Sequence, residues 1–396
     1  MSTPLKVSPL DVSPPRKFRL IRADGSEAPP SVQLPSHLRA VRRDIRRLER
    51  YVPPFADRSV INLSLNEHPA PPAPEVRAAL RDVEPERLVT YDTEQVERLR
   101  LRLAEREGVR PDNIVLCPGS SPALQLLFSC FSGGGPALYP SICWSYYLGL
   151  AQQNGLPILS YDVVKGAGEF QVEPHSVARA LQGEEPSVLL FINPHMPTGA
   201  LADGDFILWC AEQARSSLIL VDEAYHGFSP TAGTLAARVL EHENLVVSKT
   251  FSKFFGLAGL RVGYLVAHTS VVEQLAKVLS PFSIPYLSSR LACAALDGEA
   301  YYHAWATELM AVKARFHQRM AALPGVRPYQ SHGNFLLVAL PSPEEAVRAE
   351  KQLHAAGVAV RSARGYGLPA FLRISVGTAQ TMERVANVLE ESHGVR

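Results

Sequence analysis

Residues 247–266 read Val247-Ser-Lys-Thr-Phe-Ser-Lys-Phe-Phe-Gly-Leu-Ala-Gly-Leu-Arg-Val-Gly-Tyr-Leu-Val266. An apolar run passes into a polar turn and then into a second apolar run, Val262–Val266. Lys253 lies in the turn among Thr250, Ser252, Gly256 and Gly259, with Arg261 eight residues on. Its immediate neighbours are Phe251, Phe254, Phe255 and Leu257 rather than charges. An ammonium in apolar company loses hydration, which lowers its pKa toward the range where a free amine attacks a carbonyl. Such an amine can form a Schiff base with an aldehyde cofactor. The hydroxyls and the guanidinium beside it suit a phosphate.

Working outward, short apolar runs alternate with amphipathic stretches from Ile61 onward. Ile114–Cys117, Val188–Ile192, Leu218–Val221, Leu245–Val247 and Val262–Val266 read as strands, and Val96–Glu107, Pro122–Phe131 and Ile207–Ala214 as helices. Strands apolar throughout and separated by helices imply an α/β fold whose sheet is mostly parallel and covered on both faces. Beyond about residue 285 the order changes to a long helical region (288–323), a strand from Phe335, a helix from Pro343, strands at 358–361 and 371–376, and a helix to Glu391. That order predicts a smaller α+β domain. The expected division is an N-terminal arm over 1–55, a large domain over 56–285 and a small C-terminal domain over 286–396. In the arm, Arg39–Arg50 can form a helix with Val41, Ile45 and Leu48 on one face, most simply packed on the body.

The chain has 396 residues, 46% hydrophobic and 20% charged, with net charge +1. That is enough for two domains, and the balance supplies no electrostatic reason for a nucleic-acid or membrane partner. Five cysteines without paired spacing fit reduced thiols, and no zinc-ligand pattern appears. Without an apolar segment of spanning length or a signal-peptide core, the cytoplasm is the expected compartment.

In sheets of this kind polar function gathers at the carboxyl ends of the strands. After Ile114–Cys117 come Gly119, Ser120 and Ser121, where a glycine turn at a helix start presents free N–H groups to an anion. Ser121 before Pro122 serves equally well as a plain helix cap. After Val188–Ile192 comes Asn193-Pro-His-Met-Pro-Thr-Gly199, also readable as a simple turn. After Leu218–Val221 come Asp222 and Tyr225, of which the aspartate alone could be a cap. Asn193 and Asp222 are 29 residues apart, and Asp222 and Lys253 are 31 apart. Each interval fits one strand–helix–strand step, so the three should emerge on one rim. Lys249, four residues before Lys253, is the competing lysine.

These motifs resemble the fold type I pyridoxal-phosphate enzymes, and among them the class I/II aminotransferases of the histidinol-phosphate aminotransferase kind. The resemblance covers about residues 60–390. Leu65-Asn-Glu-His-Pro69 resembles the family's Asn-Glu-Asn-Pro element, and Asn193–Gly199 its Asn-Pro-Asn-Asn-Pro-Thr-Gly loop. Thr250–Lys253 with Gly256–Gly263 resembles its lysine signature, and Leu372-Arg-Ile-Ser-Val-Gly377 its arginine strand. His68, His195 and Met196 depart from the family's asparagines.

The resemblance implies a large domain with a mostly parallel seven-stranded sheet between helices, a smaller C-terminal domain, and pyridoxal 5′-phosphate as cofactor. It implies amino transfer between an L-amino acid and a 2-oxo acid, with Lys253 as Schiff-base lysine and later base. Asp222 would face the pyridine nitrogen, and Asn193 and Tyr225 the phenolic oxygen. Gly119, Ser120, Ser121, Thr250, Ser252 and Arg261 would hold the phosphate, joined by Tyr91 from the partner of a homodimer. Trp144, three residues before Tyr147, is the expected ring over the pyridine, with core burial as the alternative. Arg373 and Asn334 are the expected carboxylate contacts. Arg361 is either a further substrate contact or a solvated strand-end charge. The same scaffold supports decarboxylation, elimination, cyclisation or oxidation, because substrate grip selects the bond that breaks. A non-catalytic regulator is a further alternative, but the first 55 residues are short and Pro-rich for a DNA-binding module.

Overall fold

The computed structural model of the chain describes residues 40–46, 48 and 59–393. Of the arm, a short helix spans Arg43–Arg46 within the stretch expected to be helical. The Arg42 guanidinium there donates to the carbonyl of Gln153, so this piece packs on the body; the rest of the arm lies outside the described residues.

Seven strands build the main sheet: β1 (Ile114–Cys117), β2 (Ala137–Pro140), β3 (Ile158–Tyr161), β4 (Val188–Ile192), β5 (Leu218–Asp222), β6 (Leu245–Thr250) and β7 (Gly263–Ala267). Their order is β1-β7-β6-β5-β4-β2-β3. All neighbours pair in parallel except β7, which runs antiparallel to both β1 and β6. The mostly parallel seven-stranded α/β sheet is therefore as expected. Strands β2 and β3 are additions to the sequence reading, and so is the reversal of β7. Residues of β1, β4, β5, β6 and β7 are buried on both faces, which is what their unbroken apolar runs require.

Helix Ser120–Cys130 covers one face with Ala123, Leu124, Leu127 and Phe128 buried. Burying each of the larger of these side chains contributes about 1.5–3 kcal/mol. Its start differs from the sequence reading: Gly119, with φ of 100°, is the capping residue, and Ser120 and Ser121 both lie inside the first turn. On the other face, helix Thr93–Glu107 begins where Asp92 accepts the Gln95 N–H and ends at Gly108, whose φ is 69°.

The C-terminal region holds a second, antiparallel sheet of β8 (Arg327–Tyr329), β9 (Phe335–Ala339), β10 (Arg361–Ser362) and β11 (Phe371–Ser375), in the order β8-β9-β11-β10. The long helical region divides at Gly298 into Tyr286–Asp297 and Glu299–Ala321. A side chain at residue 298 would press on the Glu75 carboxylate at 2.5 Å, so the break sits at a close approach. Residues Ile61–Asn62 pair in parallel with Val358–Ala359. This pairing carries the following segment, 63–69, across to the rim of the main sheet. Among the described residues no helix is long and apolar enough to cross a membrane.

Candidate active site

Strand register explains why three sequence-distant residues meet. Ile192 pairs with Asp222, and Asp222 with Ser248. The Asn193 N–H donates to the Asp222 carbonyl at 2.9 Å. Asn193, Asp222 and the Thr250–Lys253 turn thus leave one edge of the sheet together. Asp222 is 4% exposed. Its Oδ2 accepts the Tyr147 hydroxyl at 2.5 Å and its Oδ1 the Ala224 N–H at 3.0 Å. No cation forms an ion pair with it among the described residues, and burial pushes its pKa up to about 6.

Lys253 projects from the turn after β6 and donates from Nζ to the Leu65 carbonyl at 2.7 Å. Its ammonium lies 5.8 Å from the centroid of the Tyr225 ring. Phe251, Phe254 and Phe255 pack on one another beneath it. Burial first, and then the Arg373 charge, bring its pKa down to about 8. Lys249 has a different environment. Its Nζ meets Glu107 at 2.7 Å and Glu223 at 3.3 Å, and Glu107 also takes the Tyr264 hydroxyl at 2.7 Å and Arg106 at 2.5 Å. A lysine whose ammonium is held by two buried carboxylates is a structural ion-pair partner rather than an amine open to a carbonyl. This separates the two lysines that sequence left in competition.

The turn at Gly119 faces Arg261. A side chain on Gly119 would collide with the Arg261 guanidinium, so the bare backbone lies directly against that charge. Arg261, at φ of 53°, donates to the Ala258 carbonyl at 2.9 Å and to the Ser252 hydroxyl at 3.3 Å. Thr250 donates to that same hydroxyl at 3.0 Å. Gly263, in register with both Thr250 and Cys117, brings β7 against the start of the helix.

On the substrate side, Arg373 is 5% exposed. It donates to the Ser64 carbonyl, to Met196 Sδ at 3.2 Å and to the Tyr366 hydroxyl at 3.3 Å, while its Nε has no partner. No carboxylate pairs with it among the described residues. Asn334 is fully buried and donates to the Asn66 carbonyl at 3.1 Å. Arg361 is the cross-strand partner of Arg373. Trp144 is half-buried rather than part of the core; it stacks on Tyr146 at 4.7 Å and meets Tyr147 edge-on at 5.8 Å. Tyr91 stands apart from this group. It is 76% exposed and stacks on Phe282, itself 61% exposed, at 4.3 Å.

The Asn193 amide is anchored within its own loop, with one of its two N–H hydrogens still available. Its Oδ1 accepts the Ala202 N–H at 3.1 Å and its Nδ2 donates to the Ala202 carbonyl at 3.2 Å, which closes the loop on itself. Met196, three residues on, is the loop residue that touches Arg373.

Residues 58–389 match the family model for aminotransferase class I and II. The chain belongs to the class I and II aminotransferases. A histidinol-phosphate aminotransferase of Halobacterium salinarum is 33% identical over 84% of this chain and 90% of its own length. Histidinol-phosphate aminotransferase 1 of Carboxydothermus hydrogenoformans is 34% identical over 74% of this chain and 81% of its own. The fold is that of the Sinorhizobium meliloti histidinol-phosphate aminotransferase solved with pyridoxal-5′-phosphate, with a TM-score of 0.77, 22% identity, and 85% and 91% of the two chains covered. The protein is thus an aminotransferase dependent on pyridoxal 5′-phosphate, moving an amino group between an amino acid and a 2-oxo acid.

This aminotransferase's residues fit that cofactor on three independent grounds. A glycine turn with no room for a side chain sits against a guanidinium and two hydroxyls, which suits a phosphate. Asp222 is a buried carboxylate with no cationic partner, which suits a pyridinium. Lys253 is an amine of lowered pKa on which the charges of both Arg261 and Asp222 act. Three of the site's residues were not singled out from sequence: Tyr147 as the partner of Asp222, Gly263 as the close contact of the cradle, and Asn66, which donates to the Tyr225 hydroxyl at 2.9 Å. Asn66 was visible only as part of a family-like element, because its partner is 159 residues away.

Proposed function

We propose that transamination in this chain runs through Lys253, with Asp222, Tyr225 and Arg373 as the groups that direct it. Asp222 Oδ2, held by Tyr147, pairs with the ring nitrogen and keeps it protonated. The bound cofactor then supplies an electron sink for the charge left on the substrate's α-carbon. Lys253 Nζ would anchor the cofactor and would serve as the base that takes up and returns the substrate's α-proton. The Tyr225 hydroxyl donates to the phenolic oxygen, the part that Asn193 was expected to share. Gly119 and Ser120 N–H groups, Ser121, Thr250, Ser252 and Arg261 hold the phosphate, and Trp144 covers the ring. Arg373 and Asn334 grip a carboxylate.

The carrying observation is that one lysine of lowered pKa feels the charges of both a buried carboxylate and a buried guanidinium, neither of which has an ion-pair partner among the described residues. Arg361, beside Arg373 in register and without an acidic partner among the described residues, supports an amino substrate with a second anionic group. The relatives named histidinol-phosphate aminotransferases support the same reading. Exposed Val89, Tyr91 and Phe282 support a homodimer in which Tyr91 reaches the partner's site. Five unpaired cysteines support a cytoplasmic location.

The test is a single half-reaction. Holoenzyme given an amino donor and no acceptor should release one equivalent of 2-oxo product per subunit and stop, and Lys253→Ala should release none. The donor panel includes amino alcohol phosphates and dicarboxylic amino acids. Catalytic release of ammonia, carbon dioxide or peroxide refutes transamination as the reaction.

A further inference from the structure

In the Asn193–Gly199 loop the one amide side chain, Asn193, is held by its own loop. Asn193 is engaged by Ala202 on both sides of its amide. Met196 offers only a thioether, a weak acceptor with no hydrogen to donate. A second amide, that of Asn66, bonds directly to Tyr225. Asn66 is fully buried, at φ of 53°, in the left-handed region that asparagine tolerates better than most residues. Every polar group of this residue has a partner within the site. Its N–H donates to Ser375 Oγ at 2.9 Å, and Ser375 Oγ donates back to Asn66 Oδ1 at 2.8 Å. Its carbonyl accepts from Asn334 at 3.1 Å, and its Nδ2 donates to the Tyr225 hydroxyl oxygen at 2.9 Å.

These bonds have a direction. Oδ1 takes the Ser375 proton, so the nitrogen end of the amide must face Tyr225. The phenol oxygen is then an acceptor toward Asn66, and its one proton is left for the pocket. A hydroxyl that accepts one bond donates a second more strongly, because the chain polarises. Ser375 lies two residues from Arg373 on the same face of β11, so the strand that carries the guanidinium also holds this amide in place.

We propose that Asn66 is a positioning residue that turns the Tyr225 proton toward the cofactor's phenolic oxygen and strengthens its donation. The proposal rests on the reading that Tyr225 faces that oxygen. Burial raises the Tyr225 pKa to about 12, with Arg373 and the Asn66 bond acting the other way, so the phenol stays a donor over the working range.

The experiment is a pH titration of the absorbance of holoenzyme, which reports the pKa of the bound chromophore. A donor to the phenolic oxygen stabilises its anionic form and lowers that pKa. Asn66→Gly is the main variant, because glycine keeps the left-handed backbone while removing the amide. The pKa should rise by about one unit, the size of one hydrogen bond expressed as a titration shift. Asn66→Asp should raise it further, because a carboxylate takes the Tyr225 proton for itself. Ser375→Ala, which frees the amide to turn without touching Asn66, should give a smaller rise in the same direction. With Tyr225→Phe as background, Asn66→Gly should add nothing. An equal rise in both backgrounds, or no rise from Asn66→Gly while Tyr225→Phe shifts the pKa, overturns the relay. No shift from Tyr225→Phe overturns the assignment of Tyr225, and the relay with it.

Discussion

Gly263→Ala isolates the contact between β7 and the start of the phosphate-facing helix. A β-carbon at this position would lie 2.5 Å from the Gly119 carbonyl carbon and 2.6 Å from the Ser120 nitrogen. Both are backbone atoms, so no side chain can swing away. Restoring ordinary contact requires the helix start to retreat by about 1 Å, away from Arg261 and the Thr250 and Ser252 hydroxyls. Overpacking of this kind costs about 1–3 kcal/mol. If the loss falls on the cradle, cofactor affinity drops about 5- to 150-fold. The Gly263 backbone is not in the left-handed region, so alanine's own conformational preference plays no part. Gly259→Ala is the internal control: four residues earlier in the same segment, it has nothing within 4 Å and no left-handed φ. The assay is titration of apoenzyme with pyridoxal 5′-phosphate by absorbance, paired with thermal unfolding with and without cofactor. Gly263→Ala should weaken binding and lose most of the thermal shift the cofactor confers, and Gly259→Ala should do neither. A Gly263→Ala dissociation constant within twofold of the parent would refute the cradle geometry.

Two further substitutions test other parts of the site. Lys249→Met leaves Glu107 and Glu223 buried without their shared cation, and should cost about 3–5 kcal/mol in denaturant unfolding. Burial pushes the Glu107 pKa up, but Lys249 and Arg106 hold it below the ordinary value of 4.5. For an acid with a lowered folded-state pKa, the linked stability is present above 4.5 and disappears as pH falls through the folded value. The parent should therefore lose stability steeply on acidification below about pH 4.5, and Lys249→Met should follow a flatter curve; parallel curves would refute the assignment. Arg373→Gln removes a buried guanidinium fork and should lower kcat/KM for a carboxylate substrate about 100-fold or more, with the cofactor still bound. An unaltered KM and kcat would remove Arg373 from the substrate site.

Much of the fold was legible because buried parallel strands leave an unambiguous trace. Val188–Ile192 and Leu218–Asp222 are apolar at every position up to the strand end, since both faces are covered, and polar residues begin where the sheet stops. The 29- and 31-residue intervals then bring Asn193, Asp222 and Lys253 to one edge. Strands β2 and β3 escaped because Ala137–Pro140 ends in proline and Ile158–Tyr161 is only partly covered, so neither forms a clean apolar run. The reversal of β7 escaped for a different reason. Burial on both faces looks the same in either direction, and only the hydrogen-bond partners distinguish them.

By itself, then, the sequence determined the α/β class, the rim and the residue types gathered there. Those follow from local periodicity and from chain length between strands. The tertiary structure alone decided which groups are free to act. Lys249 and Lys253 differ by four residues, but only the first meets Glu107, 142 residues away. Asn193 is anchored by Ala202, Asp222 is held by Tyr147, and the Tyr225 hydroxyl accepts from Asn66. Periodicity reports how deeply a side chain is buried. It carries no information about which distant donor or acceptor waits there, and in a buried site that partner decides the chemistry.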